Sequence, residues 1–151
     1  MNPAVRLRLE YAEKLLGGDG AATGWPRCAA WLIRLALEHA LNGVWARRYP
    51  ELVHANTRTQ LLALAVIAEE ADHQQATQLW SRLSRAGHHH HYELAPTAAE
   101  LRAWLDEVRA LAVLLDNLAA APPTTSRSPQ AEPRTTGGRG SAPAGPRPVN
   151  L

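Results

Sequence analysis

Apolar and polar positions alternate along this chain with the period of helices. Residues 3–16 (PAVRLRLEYAEKLL) carry Val5, Leu7, Leu9, Ala12, Leu15 and Leu16 as an imperfect apolar stripe, and Gly17, Gly18 and Gly20 stop it. Residues 26–48 are the most apolar segment. Ala30, Ile33, Leu37, Leu41 and Val44 form one stripe that Trp31, Leu35 and Trp45 widen, which predicts a central helix opened by Pro26. Arg34, Glu38 and Asn42 cut a narrow polar stripe through it at i, i+4 spacing, suited to stabilising the helix or supporting a nearby site. Arg47, Arg48, Tyr49 and Pro50 end it.

Thr57–Gln60 reads as a capping box opening a third helix that runs to about Glu70. Asp72 is placed to cap a fourth, in which Ala76, Leu79, Trp80 and Leu83 make the core stripe. Arg82 and Arg85 fall off that stripe and are expected to face solvent or a partner. A second capping box, Thr97–Glu100, follows Pro96 and opens a fifth helix to about Ala120. Its core face is Leu101, Trp104, Leu105, Val108, Leu111, Ala112, Leu115 and Leu118, with Arg102, Asp106 and Arg109 on a solvated face. No strand-like alternation, internal repeat or Gly-rich phosphate loop is present. The expected fold is all-α: an antiparallel bundle of about five helices over residues 1–120.

From residue 121 the pattern stops. Seven of the 11 prolines lie in 121–151, among Ser, Thr, Gly and Arg, a composition that predicts a disordered tail. The net charge of +2 divides accordingly. Residues 1–120 hold 12 Lys+Arg against 13 Asp+Glu, a net of −1, while the tail holds four Arg against Glu132, a net of +3. Overall basicity therefore says little about what the helical part binds. Hydrophobic content is 46%, enough for a core, and no run of 18 or more uncharged apolar residues predicts a membrane span. Charged residues from Arg6 to Lys14 interrupt any secretory leader, and Cys28 stands alone, so a cytoplasmic location is expected.

The chemistry concentrates in Trp80–Thr97 (WSRLSRAGHHHHYELAPT). Gly87 and Pro96 loosen or end the helix here, so that Arg85 on its last turn and His90 just beyond can converge. RNA cleavage without metal needs a proton taken from the 2′-hydroxyl and one given to the leaving oxygen. Histidine does either near neutral pH, and a guanidinium stabilises the charge that builds on phosphorus-bound oxygen. No cofactor is needed for this chemistry.

Arg85, four residues, His90, one residue and Tyr92 resemble the Arg-x4-His-x-Tyr motif of HEPN-domain proteins. The motif's place before a final helix, and an apolar second helix bearing Glu38, are similar too. This resemblance implies a metal-independent endoribonuclease acting as a homodimer on an RNA substrate. It further implies a toxin or stress/defence RNase paired with a nucleotidyltransferase antitoxin that modifies the tyrosine. Carried over, Arg85 holds the scissile phosphate, His90 is the general acid/base, Tyr92 is the modification target, and Glu38 supports the site. Ala86 departs from the polar residue often found after the arginine.

The histidine run allows other registers. Arg82 to His88 and Arg85 to His91 also fit an Arg-x4-to-6-His pattern, and His89 lies between. The alternative function is a non-catalytic helical module that binds a nucleotide or a protein partner. A metal-binding regulator is a third class, but Cys28, His39, His54 and His73 show no ligand spacing, so no metal site is predicted.

Overall fold

In a computed structural model of the chain, residues 1–18, 25–87 and 94–121 are described. Five α-helices account for most of them: α1 (Pro3–Gly17), α2 (Trp25–Arg48), α3 (Thr57–Leu64), α4 (Glu70–Gly87) and α5 (Ala98–Ala120). A single 3-10 turn, Pro50–Leu52, follows α2. No strand occurs among the described residues. The Pro-rich tail expected to be disordered lies outside them.

Helix α2 is the axis of the bundle. It packs on α1, α4 and α5, and α5 in turn touches α1 and α4. Consecutive long helices run antiparallel, which leaves α2 and α5 parallel in the middle. Their C-terminal ends meet where Arg47 pairs with Asp116 (3.1 Å) and Arg48 Nη1 donates to the Leu118 carbonyl (3.0 Å). Small side chains are buried on both helices. Ala29, Ala36 and Ala40 of α2 are buried, as are Ala112 and Ala119 of α5. Larger residues fill the space on either side: Ile33, Leu37, Leu41, Val44, Trp45, Leu101, Val108 and Leu115 are almost fully buried. Removal of such apolar area from water is the main force holding the helices together.

The α1 stripe is narrower than the sequence reading. Val5, Leu9, Ala12 and Leu16 are buried at spacings of four, three and four, whereas Leu7 (51%) and Leu15 (38%) are exposed. On α2, Trp45 is buried but Trp31 is half exposed.

Three other expectations change. The cap of α3 is Asn56, not Thr57: the Thr59 backbone N–H donates to Asn56 Oδ1 (2.9 Å), and Thr57 is the first helical residue. Gln60, expected to close a capping box, turns inward instead. Its Nε2 reaches Asn42 Oδ1 (2.7 Å) and the carbonyls of Leu52 (3.0 Å) and Val53 (3.3 Å), so an almost fully buried amide is satisfied by three acceptors. Helix α3 stops at Leu64 rather than near Glu70, because Val66, Ile67 and Ala68 donate to Ala63 and Leu64 in turns. Helix α4 starts at Glu70, so Asp72 lies inside its first turn, where its negative charge suits the helix dipole.

Polar side chains expected to be merely solvated also join helices. Arg102 Nη2 donates to the Leu16 carbonyl at the end of α1 (2.6 Å), and Arg109 bridges Asp106 and Glu13 of α1 (3.0 and 3.1 Å). Each exposed pair contributes little on its own, about 0.2–1 kcal/mol.

Ala36 is fully buried on α2, so Ala36→Leu has nowhere to place its extra carbons. It is expected to cost about 1–3 kcal/mol in chemical denaturation. Leu62→Ala on α3, a residue 69% exposed, is expected to change stability by less than about 0.5 kcal/mol.

Candidate functional site

The last turn of α4 and the first turns of α5 form the two sides of an open groove of about 680 Å³. Arg82, Arg85 and Ala86 line it from α4, and Thr97, Glu100 and Trp104 from α5. Leu94, Ala95 and Pro96, leading into α5, complete the apolar part of the wall.

Each wall is fixed by local chemistry. On the α5 side the capping box predicted from the sequence is present. The Glu100 backbone N–H donates to Thr97 Oγ1 (3.2 Å), and the Thr97 backbone N–H and hydroxyl donate to Glu100 Oε2 (both 2.8 Å). These bonds, led by the Thr97 backbone N–H, hold the Glu100 carboxyl below the usual glutamate range. On the α4 side, Leu79 and Leu83 are fully buried and the Trp80 indole Nε1 donates to Glu38 Oε1 of α2 (3.0 Å). Arg34 Nε lies 3.5 Å from the same carboxylate oxygen. Glu38 thus joins α2 to α4 through Trp80, five residues before Arg85, and does not itself line the groove.

The two arginines differ. Arg82, expected to face solvent or a partner, is paired within the molecule: its Nη2 lies 2.9 Å from Glu107 Oε2 of α5. Its guanidinium is therefore oriented and its charge largely offset. Arg85 is exposed and has no ion pair among the described residues. It sits in the last turn of α4, where a cation is favoured by the helix dipole. The chain passes directly from Gly87 into His88, His89, His90, His91 and Tyr92, which lie outside the described residues.

The structure thus brings Arg82 and Arg85 to one groove and leaves Glu38 behind it. Sequence reasoning missed Trp104 and Glu107 as site residues. Trp104 follows the core period of α5, so its role in the groove wall was masked. Glu107 is 25 residues from Arg82 and had no local signature.

Among the described residues, no group of three His, Cys, Asp or Glu side chains is placed to hold a metal ion. His39 Nδ1 lies 2.9 Å from the Leu35 carbonyl, and Cys28 is exposed. No helix among them is long and apolar enough to cross a membrane. No family model, curated protein or solved structure matches the chain.

The capping box makes a prediction about the groove wall. Thr97→Ala should lower stability by about 1 kcal/mol in denaturant titration. Because the folded Glu100 carboxyl titrates below its unfolded counterpart, its stabilisation is present above the usual glutamate range and is lost as pH falls through the lowered value. Thermal melts at stepped pH should therefore show the wild-type advantage over Glu100→Gln at neutral pH shrinking in acid.

Proposed function

We propose that this chain is a HEPN-like, metal-independent endoribonuclease that works as a homodimer and cuts RNA at the α4–α5 groove. The observation that carries the reading is Arg85. It is an exposed guanidinium without an ion pair among the described residues, at the mouth of a groove, and the histidine run follows it directly in the chain.

In this mechanism Arg85 binds the two non-bridging oxygens of the scissile phosphate through its planar fork. A histidine, His90 in the favoured register, removes the 2′-hydroxyl proton. The 2′-oxygen then forms a bond to phosphorus, and the bond from phosphorus to the 5′-oxygen breaks. A protonated histidine supplies the proton to that leaving oxygen, giving a 2′,3′-cyclic phosphate and a 5′-hydroxyl end. Two copies of the motif in a dimer provide base and acid together. His88, His89 and His91, with Arg82, are the alternative registers. Arg82 is the weaker candidate for the phosphate because Glu107 already holds it.

Within the same reading the protein is a toxin or a stress/defence RNase. Tyr92 is the residue that a nucleotidyltransferase antitoxin modifies: its phenolic oxygen attacks the α-phosphorus of a nucleoside triphosphate, and pyrophosphate leaves. A nucleotidyl group there places bulk and negative charge two residues from His90.

A second reading rests on the charge balance of the groove. With Arg82 paired to Glu107 and the Glu100 carboxylate in the wall, the walls present little net positive charge. Such a groove also suits a non-catalytic module that holds a nucleotide or a segment of a partner protein.

The deciding experiment incubates purified protein with RNA in EDTA. Cleavage that leaves cyclic phosphate ends is expected from wild type. It should fall by about 100-fold or more in Arg85→Ala and in His90→Ala, and by less in Arg82→Ala. An inert but folded wild type would exclude the nuclease and favour the binding module.

A further inference from the structure

We infer that Trp104 is a stacking platform for an unpaired nucleobase, so that the groove selects single-stranded over duplex RNA. The inference rests on the RNA-binding part of the proposed function and adds to it a specificity-determining residue.

Trp104 has the properties of a platform. It is partly buried and packs against the core, so its ring is held by the bundle rather than ordered by the ligand. It nevertheless lines the groove, opposite Arg82 and Arg85. Indole rings offer a large flat surface at small entropic cost, and every base has a face to lay on it. The apolar Pro96 and Leu94 lie along the same wall and offer apolar surface to a bound ring. The guanidinium of Arg85 is available to the phosphate of the same nucleotide.

Size agrees with this assignment. A groove of about 680 Å³ lies within the range of about 300–1,000 Å³ that takes small-molecule ligands, which includes one nucleotide. In an A-form duplex the base faces are covered by their neighbours, and side chains reach mainly phosphates and 2′-hydroxyls. A base reaches Trp104 only from a single strand, a loop or a bulge.

The other half-exposed indoles are differently placed. Trp80 is tied to Glu38, and neither Trp25 nor Trp31, the latter 50% exposed, lines the groove from α2. Trp31 is therefore a control for any general effect of losing a surface indole.

The test is fluorescence anisotropy with a short labelled single-stranded RNA bearing 2′-O-methyl groups, which cannot be cleaved by 2′-hydroxyl attack, and with its duplex. Trp104→Leu keeps apolar packing without a ring, and Trp104→Phe keeps a smaller ring. Both are checked for folding by circular dichroism. Wild type is expected to bind the single strand more tightly than the duplex. Trp104→Leu should weaken single-strand binding by roughly 5- to 100-fold, Trp104→Phe by less, and Trp31→Ala not at all. Equal affinity for duplex and single strand, unchanged binding by folded Trp104→Leu, or no RNA binding by wild type would each overturn the inference. Failures of the two readings are separable. Single-strand binding that depends on Trp104, without cleavage of unmodified RNA, removes the nuclease and keeps the platform. Cleavage whose KM is indifferent to Trp104→Leu does the reverse.

Discussion

The close approach of α2 and α5 is the constraint on which the rest of this fold depends. A close approach between two helices is easier where the buried side chains are small. Ala29, Ala36, Ala40, Ala112 and Ala119 meet that condition. Once this pair is set, α1 and α4 occupy the flanks and bury leucines against it. Larger residues, Trp45, Leu101 and Leu115 among them, fill the rest of the same core. Position of the groove follows. Helix α4 has contacts to both central helices, through Trp80 to Glu38 of α2 and through Arg82 to Glu107 of α5. Its last turn, and Arg85 with it, is located by those two polar contacts and by Leu79 and Leu83 beneath them.

Helix periodicity made most of this architecture readable from the sequence. Most of the stripes predicted on α2 and α5 are buried, although Trp31 is half exposed, Trp104 and Leu118 are only partly covered, and Ala29, Ala36, Ala40 and Ala119 widen the buried faces. The Thr97–Glu100 box is present as read because both partners lie within one turn. What could not be read involved partners distant in the chain. Gln60 has the spacing of a capping residue, yet burial against Asn42 and two carbonyls of the preceding turn competes successfully for its amide. Asn56 then takes the cap, a position for which asparagine is at least as suitable as threonine. Arg82, Arg102 and Arg109 looked like solvated surface because Glu107, Leu16 and Glu13 are brought to them by packing alone.

The candidate site divides along the same line. Arg85 was legible as a cation off the core stripe near a helix end, and its exposure agrees. Trp104 was legible only as core, since an indole at a helix position of the correct period gives no sign that it also lines a groove. Glu38 was picked out as a lone acid on an apolar helix. Its contacts with Trp80 and Arg34 make it a tie between helices, one layer behind the groove.

The two walls of the groove are each anchored by contacts of their own. One wall ends at Gly87 after leucines and a tryptophan have committed α4 to the bundle, and the other begins at Pro96 and Thr97 with its own cap. Both anchors are built from residues of the helices themselves. A change at Thr97 or Glu100 therefore slackens the α5 side of the groove at its cap, while Leu79 and Leu83 still hold the α4 side. Such an arrangement lets the two sides of one groove be altered by different local substitutions.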